Sequence, residues 1–334
     1  MFLATLVCVF FTYGWFWSNG RPLGDPETTR QSALFAAGLM SILLAHELGH
    51  YVVARRHGFA LSLPYFIPFP FAFGTFGAII RLRSLPRSRT GLLEMGAAGP
   101  IAGAVVAIIV MAIGLPDTLP PQSIDPAAGL MDTEIPGVLL TVLHAIDRVL
   151  SWGPIGDLLA WFATPVPEGH VPVAIFNNPP IMDLLGTLIL GAPPGRFDTL
   201  SPLALAGWVG CLLTAINLVP IGQLDGGHVL TAVAPKVASR LSRVLLVVVL
   251  IGGSMLWLGW AFWAVLLWRL GAWRNLDVPE HPPLTPRART IAGVVLVLFA
   301  LTFMPAPVEM DSMPAAPAEA ATPGAGPAPA EPAP

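Results

Sequence analysis

The chain has 334 residues, 54% of them hydrophobic and only 11% charged, a composition that cannot coat a soluble domain of this size with polar side chains. A net charge of −3, with no basic run interleaved with aromatics, excludes a nucleic-acid partner from the reading. The expected class is an all-α polytopic membrane protein.

Apolar runs of bilayer-spanning or nearly spanning length come in order along the chain. Phe2 to Trp17 lacks a basic start and a small-residue cleavage site, so it is read as a helix rather than a signal peptide. Ser32 to Val53, Leu92 to Leu115 and Leu203 to Val219 follow. Leu241 to Gly252 and Met255 to Leu270 are divided near Gly253 and Ser254, and a run of about 30 residues exceeds what a bilayer needs, so a tight hairpin is expected there. Ile291 to Phe303 completes a set of about seven.

Arginines orient the set. Arg55, Arg56, Arg81, Arg83, Arg87 and Arg89 follow the second span with no acid before Glu94, which marks that connection as cytoplasmic. Nine acids stand against Arg148 and Arg196 between Pro116 and Pro202, which marks that insert as outward-facing. The alternation then places Lys236, Arg240 and Arg243, and later Arg269, Arg274, Arg287 and Arg289, on the inner side with the N-terminus. Within the insert, "GVLLTVLHAIDRVLSW" spaces its apolar residues as a helix at the membrane surface, and no strand alternation suggests a β-rich peptide-binding module. Cys8 and Cys211 lie in apolar runs and suggest no disulfide framework. The chain divides into a first helix and outer loop (1–31), a first core segment (32–115), the insert (116–202), a second core segment (203–304) and an alanine- and proline-rich tail (305–334) expected to be disordered.

The second span holds the chemistry. His46, Glu47 and His50 form HExxH, which on a helix puts both imidazoles one turn apart on one face, able to share a metal ion, with Glu47 on the flank where it can reach a metal-bound water as a general base. Ionisable side chains inside a membrane helix are costly and tend to mark function. Zinc of this type needs a third protein ligand and one open position. Asp225 in "AINLVPIGQLDGGHVL" lies at the inner end of another span, at the depth of His46 and His50, and is the leading candidate, with His228 its rival or a hydrogen-bonding neighbour. Asn217, in an otherwise apolar helix, either glues helices together or donates to the oxyanion of an attacked peptide carbonyl. Gly96, Gly99 and Gly103 make a small-residue face suited to close helix packing, and Pro100 should bend that helix or free a carbonyl. Between the second and third spans, "LPYFIPFPFAFGTFGAIIRLRS" is too proline-rich for a helix and too apolar for a solvated loop. It reads either as a greasy anchor or as an extended segment whose edge holds an unwound peptide, and Gly74 and Gly77 allow close backbone approach in either case.

HExxH, "GAAGPIAG" and "NLVPIGQLDGGH" together resemble the site-2 proteases, intramembrane zinc metalloproteases, over roughly Ala33 to Pro307. The resemblance is closest to the subgroup of plastid proteases named for ethylene-dependent, gravitropism-deficient plants and their bacterial relatives, without a PDZ domain. It implies one zinc ion per chain on His46, His50 and Asp225, a general base on Glu47, a substrate or oxyanion role for Asn217, and a re-entrant β-like loop whose Gly74, Phe76 and Gly77 meet the substrate. It also implies a transmembrane protein substrate, pre-cleaved by another protease or intact, cut near the cytoplasmic face of a cell (inner) membrane, with no nucleic acid involved. Prenyl-protein proteases, which take a glutamate as third ligand, and a non-proteolytic zinc-binding scaffold or transporter are the alternatives.

Overall fold

A computed structural model describes residues 1–18, 22–80, 88–120, 170–278 and 282–314. The surface helix expected around His144, the arginines at 81, 83 and 87, and the tail beyond Pro314 lie outside these residues.

The described residues are mostly helical. Helix α1 (Phe2–Phe16) leads to α2 (Pro26–Arg56), then to a hairpin of β1 (Tyr65–Pro68) and β2 (Thr75–Ile79), and to α3 (Arg89–Gly114). After the insert come β3 (His170–Phe176), α4 (Pro180–Leu190), α5 (Pro202–Leu218), α6 (Asp225–Val233), α7 (Pro235–Val248), α8 (Leu258–Arg269), α9 (Pro286–Thr302) and β4 (Val308–Pro314). Three helices are long and apolar enough to cross a membrane: Pro26–Arg56, Arg89–Asp117 and Pro235–Leu256, the last being α7 with its π-helical and short α-helical extension. Phe2–Phe16, Pro202–Leu218 and Leu258–Arg269 are apolar but shorter.

Local chemistry sets the boundaries. The Asp25 carboxylate caps α2 by accepting from the Thr28 amide at 2.7 Å, with Pro26 at the first helical position and Arg55 and Arg56 in the last turn. Ser88, Ser201 and Thr285 cap α3, α5 and α9 in the same way. Ser201 also donates to the Gly114 carbonyl at 2.7 Å, tying the end of α3 to the start of α5. Pro100 lies within a continuous α3, so the Gly96 carbonyl loses its helical donor.

Helix α3 is the spine, packed against α2, α5, α6 and α9. The main core surrounds Trp208, which is fully buried and donates its indole N–H to the Asn177 carbonyl at 2.8 Å. Tyr13 stacks on Phe35 at 4.7 Å to join α1 to α2.

Two expectations need correction. The break between the later spans falls at Trp257, whose backbone is extended, rather than at Gly253 and Ser254. Gly253 and its neighbours instead continue α7 as a π-helical turn, and Gly253 packs beside Trp260 of α8 as the chain turns back. Residues 170–176 of the insert and 308–314 of the tail, in stretches read as free of strands and as disordered respectively, pair as a two-stranded antiparallel ribbon, in register from His170 opposite Pro314 to Phe176 opposite Val308. Glu309 and Asp311 alternate onto one face of β4, where both meet Arg196, at 2.9 and 3.1 Å. A pairing partner so distant in sequence leaves no local signal, and the Ala/Pro bias of the tail hides the strand.

Candidate metal centre

His46 and His50 project from α2 one turn apart, as HExxH spacing requires, and their Nε2 atoms stand 3.1 Å from each other. Asp225 begins α6 and faces them with both oxygens, Oδ2 at 3.2 Å from His46 Nε2 and Oδ1 at 3.3 Å from His50 Nε2. Neighbouring donors around a tetrahedral zinc with bonds of about 2.0 to 2.1 Å are separated by about 3.3 Å, so the three side chains have the spacing of ligands to one ion. Two nitrogens and a hard oxygen are an ordinary zinc set, and among the described residues this is the one such group of three or more His, Cys, Asp or Glu.

The imidazoles are oriented from behind. His50 donates Nδ1–H to the Met95 carbonyl of α3 at 2.8 Å, which fixes the tautomer with the Nε2 lone pair facing Asp225. The glycines of α3 make this contact possible. A side chain at Gly99 would overlap the His50 ring at Nε2 itself, and a Cβ at Gly103 would lie 3.0 Å from His46 Cβ. At Gly96 a Cβ would lie 2.9 Å from His228 Cβ. The small-residue face is thus a packing face, but what it packs is the histidine cluster.

Asp225 is held by the turn before it. Ser242 of α7 accepts from the Gly222 amide at 3.1 Å, and the Ala272 carbonyl accepts from the Gln223 amide at 2.7 Å. Gly222 has φ +54°, and Gly226 and Gly227 press against the carbonyls of Leu218 and Gly222, leaving no space for a Cβ. Arg89 reaches from α3 to the last carbonyls of α6, Ala232 at 2.7 Å and Val233 at 2.9 Å, and so locks the two helices together.

Glu47 is 5% exposed, beside the two histidines on α2, and its carboxylate has no hydrogen-bond partner among the described residues. Asn217 is half-buried in the last turn of α5, also without a side-chain hydrogen bond among them. His228 shares a face of α6 with Asp225, but its Nδ1 is buried without a partner and it makes no hydrogen bond to the cluster among the described residues. The hairpin expected to be β-like is a true one, Tyr65 opposite Ile79 and Pro68 opposite Thr75, with a bulge at Phe76 and Gly77. Gly74 and Gly77 both have positive φ, at +84° and +93°. Gly74 lies directly on the α1 backbone at Val9, whereas Gly77 faces open space. Phe76 packs at a tilt against Phe69, with ring centroids 4.0 Å apart, and lies near parallel to Phe262 of α8 at 6.4 Å. Among the described residues no third strand pairs with β1 or β2. The Met95 carbonyl, Ser242 and Ala272 were not foreseeable, because backbone acceptors and an isolated serine carry no sequence signal.

Two imidazoles on a helix apolar enough to cross a bilayer, met by a carboxylate at the start of the short α6 and with a second carboxylate alongside, define a membrane metalloprotein with an HExxH centre. Residues 34–259 match the family model described as peptidase family M50, and the chain belongs to that family, the site-2 protease family of zinc metallopeptidases. It is 28% identical over 281 residues to the probable chloroplastic zinc metalloprotease EGY1 of Arabidopsis thaliana, covering 81% of this chain and 42% of that protein. Identity to the probable chloroplastic zinc metalloprotease EGY2 of Oryza sativa subsp. japonica is 30% over 293 residues, covering 84% and 43%. The chain thus spans less than half the length of these relatives. No solved structure matches it significantly.

Proposed function

We propose that the chain is an intramembrane zinc endopeptidase that hydrolyses peptide bonds within or beside the membrane-spanning segments of other proteins. The observation that carries this reading is the mutual spacing of His46, His50 and Asp225, 3.1 to 3.3 Å between donor atoms. These residues would hold the zinc. When bound, zinc polarises a carbonyl and lowers the pKa of its water to about 7. Glu47, buried and without a hydrogen-bond partner among the described residues, accepts the proton of the attacking water and returns it to the leaving amine. Asn217, its amide unengaged among the described residues, donates to the carbonyl oxygen as that oxygen gains charge. The outer edge of β2, with Gly77 open and Phe76 beside it, receives the unwound substrate strand as a re-entrant loop, while Gly74 serves the junction with α1.

In this reading the chain crosses the membrane seven times, with the metal centre toward the cytoplasmic side of a cell (inner) membrane. The arginines that follow α2 and begin α9 support that orientation. The substrate is a transmembrane protein, intact or already cut once by another protease, surrounded by the lipid bilayer.

The test compares wild type, Glu47→Gln and Asp225→Asn expressed in membranes, reading zinc content and membrane-protein fragments. Glu47→Gln should keep its zinc and lose the fragments, and Asp225→Asn should lose both. Fragments persisting in Glu47→Gln would overturn the proteolytic reading in favour of a zinc-binding scaffold or transporter.

A further inference from the structure

A second feature of the bundle shares α2 and α3 with the histidine cluster. A cleft of about 710 Å³ opens on the flank of the molecule between α2, α3 and α9. Its walls are apolar and face outward: Leu48 and Val52 of α2 are 44% and 45% exposed, and Ile101 and Ile291 complete them from α3 and α9. Gly49 and Ala98 form the floor, where the two backbones approach too closely for a side chain at position 49. One end of the cleft is cationic. Arg56 has no ion-pair partner among the described residues, and Arg287, 81% exposed, lies 4.0 Å from Glu94, an acid already engaged by His57 at 2.9 Å.

We infer that this cleft is a binding site for an anionic phospholipid, with an acyl chain along the apolar walls and the headgroup phosphate between Arg56 and Arg287. Paired guanidinium groups suit a phosphodiester, which they can grip with several donors at once. Basic pockets between membrane helices on the cytoplasmic side are where acidic headgroups bind, and the proposed orientation puts this end on that side. The volume selects the occupant. A helix about 10 Å across would fill the cleft in fewer than about two turns, too little to seat a membrane-spanning substrate, whereas the space is in the range of small-ligand sites, about 300 to 1,000 Å³. Free phosphate would leave the apolar walls uncovered.

The inference does not depend on proteolysis, so its test uses binding alone. The full chain, purified in detergent and stripped of lipid, is titrated with phosphatidylglycerol or phosphatidylcholine of the same acyl chains, and bound lipid is counted by native mass spectrometry. Phosphatidylglycerol should bind about tenfold or more tightly than phosphatidylcholine. The double variant Arg56→Gln/Arg287→Gln should erase that preference, while Arg240→Gln/Arg243→Gln, on α7 away from the cleft, should retain it. Ala102→Leu, which narrows the cleft, should weaken both lipids in parallel, and zinc content reports whether it has folded. Equal affinity for the two lipids, or a preference that survives loss of Arg56 and Arg287, would overturn the assignment. So would a preference abolished equally by the α7 pair, which would reveal general attraction to a basic surface.

Discussion

Replacing Gly99 with alanine should strip the site of metal while leaving every proposed ligand in the chain. The added Cβ would overlap the His50 ring, and restoring ordinary contact demands a shift of about 1 Å or more. Metal-ligand distances tolerate only about 0.2 Å. The ring cannot simply swing away, because the Met95 carbonyl holds Nδ1 at 2.8 Å, so either that hydrogen bond breaks or α2 and α3 separate. Loss of a group that orients a ligand typically weakens metal binding 10- to 100-fold, about 1.4 to 2.8 kcal/mol, and displacing the ligand itself should reach the upper end or exceed it. Gly103→Ala places its Cβ 3.0 Å from His46 Cβ, a conflict relieved by a few tenths of an ångström, so its loss should be only a few-fold. Gly293→Ala, whose Cβ meets nothing within 4 Å, is the inert control. The assay is zinc stoichiometry by mass spectrometry after equilibration against a buffered zinc series, with monodispersity checked by size exclusion. A Gly99→Ala protein that binds zinc as tightly as wild type would refute the idea that α3 sets the imidazole position.

Gly74→Ala should loosen the junction of the β-hairpin and α1, because φ +84° disfavours a side chain and its Cβ would strike the Val9 backbone. Proteolytic nicking between α2 and α3 should rise sharply, and unchanged resistance would show the junction to be unimportant. Trp208→Phe should destabilise the bundle by about 1 kcal/mol or more, by removing the hydrogen bond to the half-buried Asn177 carbonyl and part of a fully buried ring, seen as a lower thermal midpoint in detergent. The Asp25 carboxyl is held below its usual pKa by the Thr28 hydroxyl and then by the Thr28 amide. A depressed folded-state pKa means its stabilisation is present above the unfolded-state pKa and disappears as pH falls through the folded-state one. The difference in thermal midpoint between wild type and Asp25→Asn should therefore shrink on acidification, and a constant difference would contradict the cap.

The metal centre was legible in sequence to the degree that its parts are local. His46 and His50 share a helix turn, so a four-residue spacing determined their common face. Asp225 lies far along the chain, and the charge balance of the loops was the sequence signal that paired it with the histidines it faces. The glycine face of α3 was visible as a packing pattern, but spacing cannot say that its neighbour is an imidazole rather than an alkyl chain. The break at Trp257 was misplaced because glycine inside a helix signals weakness, while here the turn is made where an indole can anchor it: Trp260 Nε1 donates to the Pro305 carbonyl at 2.7 Å. Pairing of residues 170–176 with 308–314 was invisible for the most general reason, that a two-strand ribbon is defined by a register and a register belongs to neither strand alone.

That ribbon has a bearing on how the molecule is made. Its second half is synthesised after His46, His50 and Asp225 have all been added to the chain. The histidines and Asp225 can therefore assemble first, and the ribbon closes afterwards, fastening residues 170–176 to the stretch that follows α9.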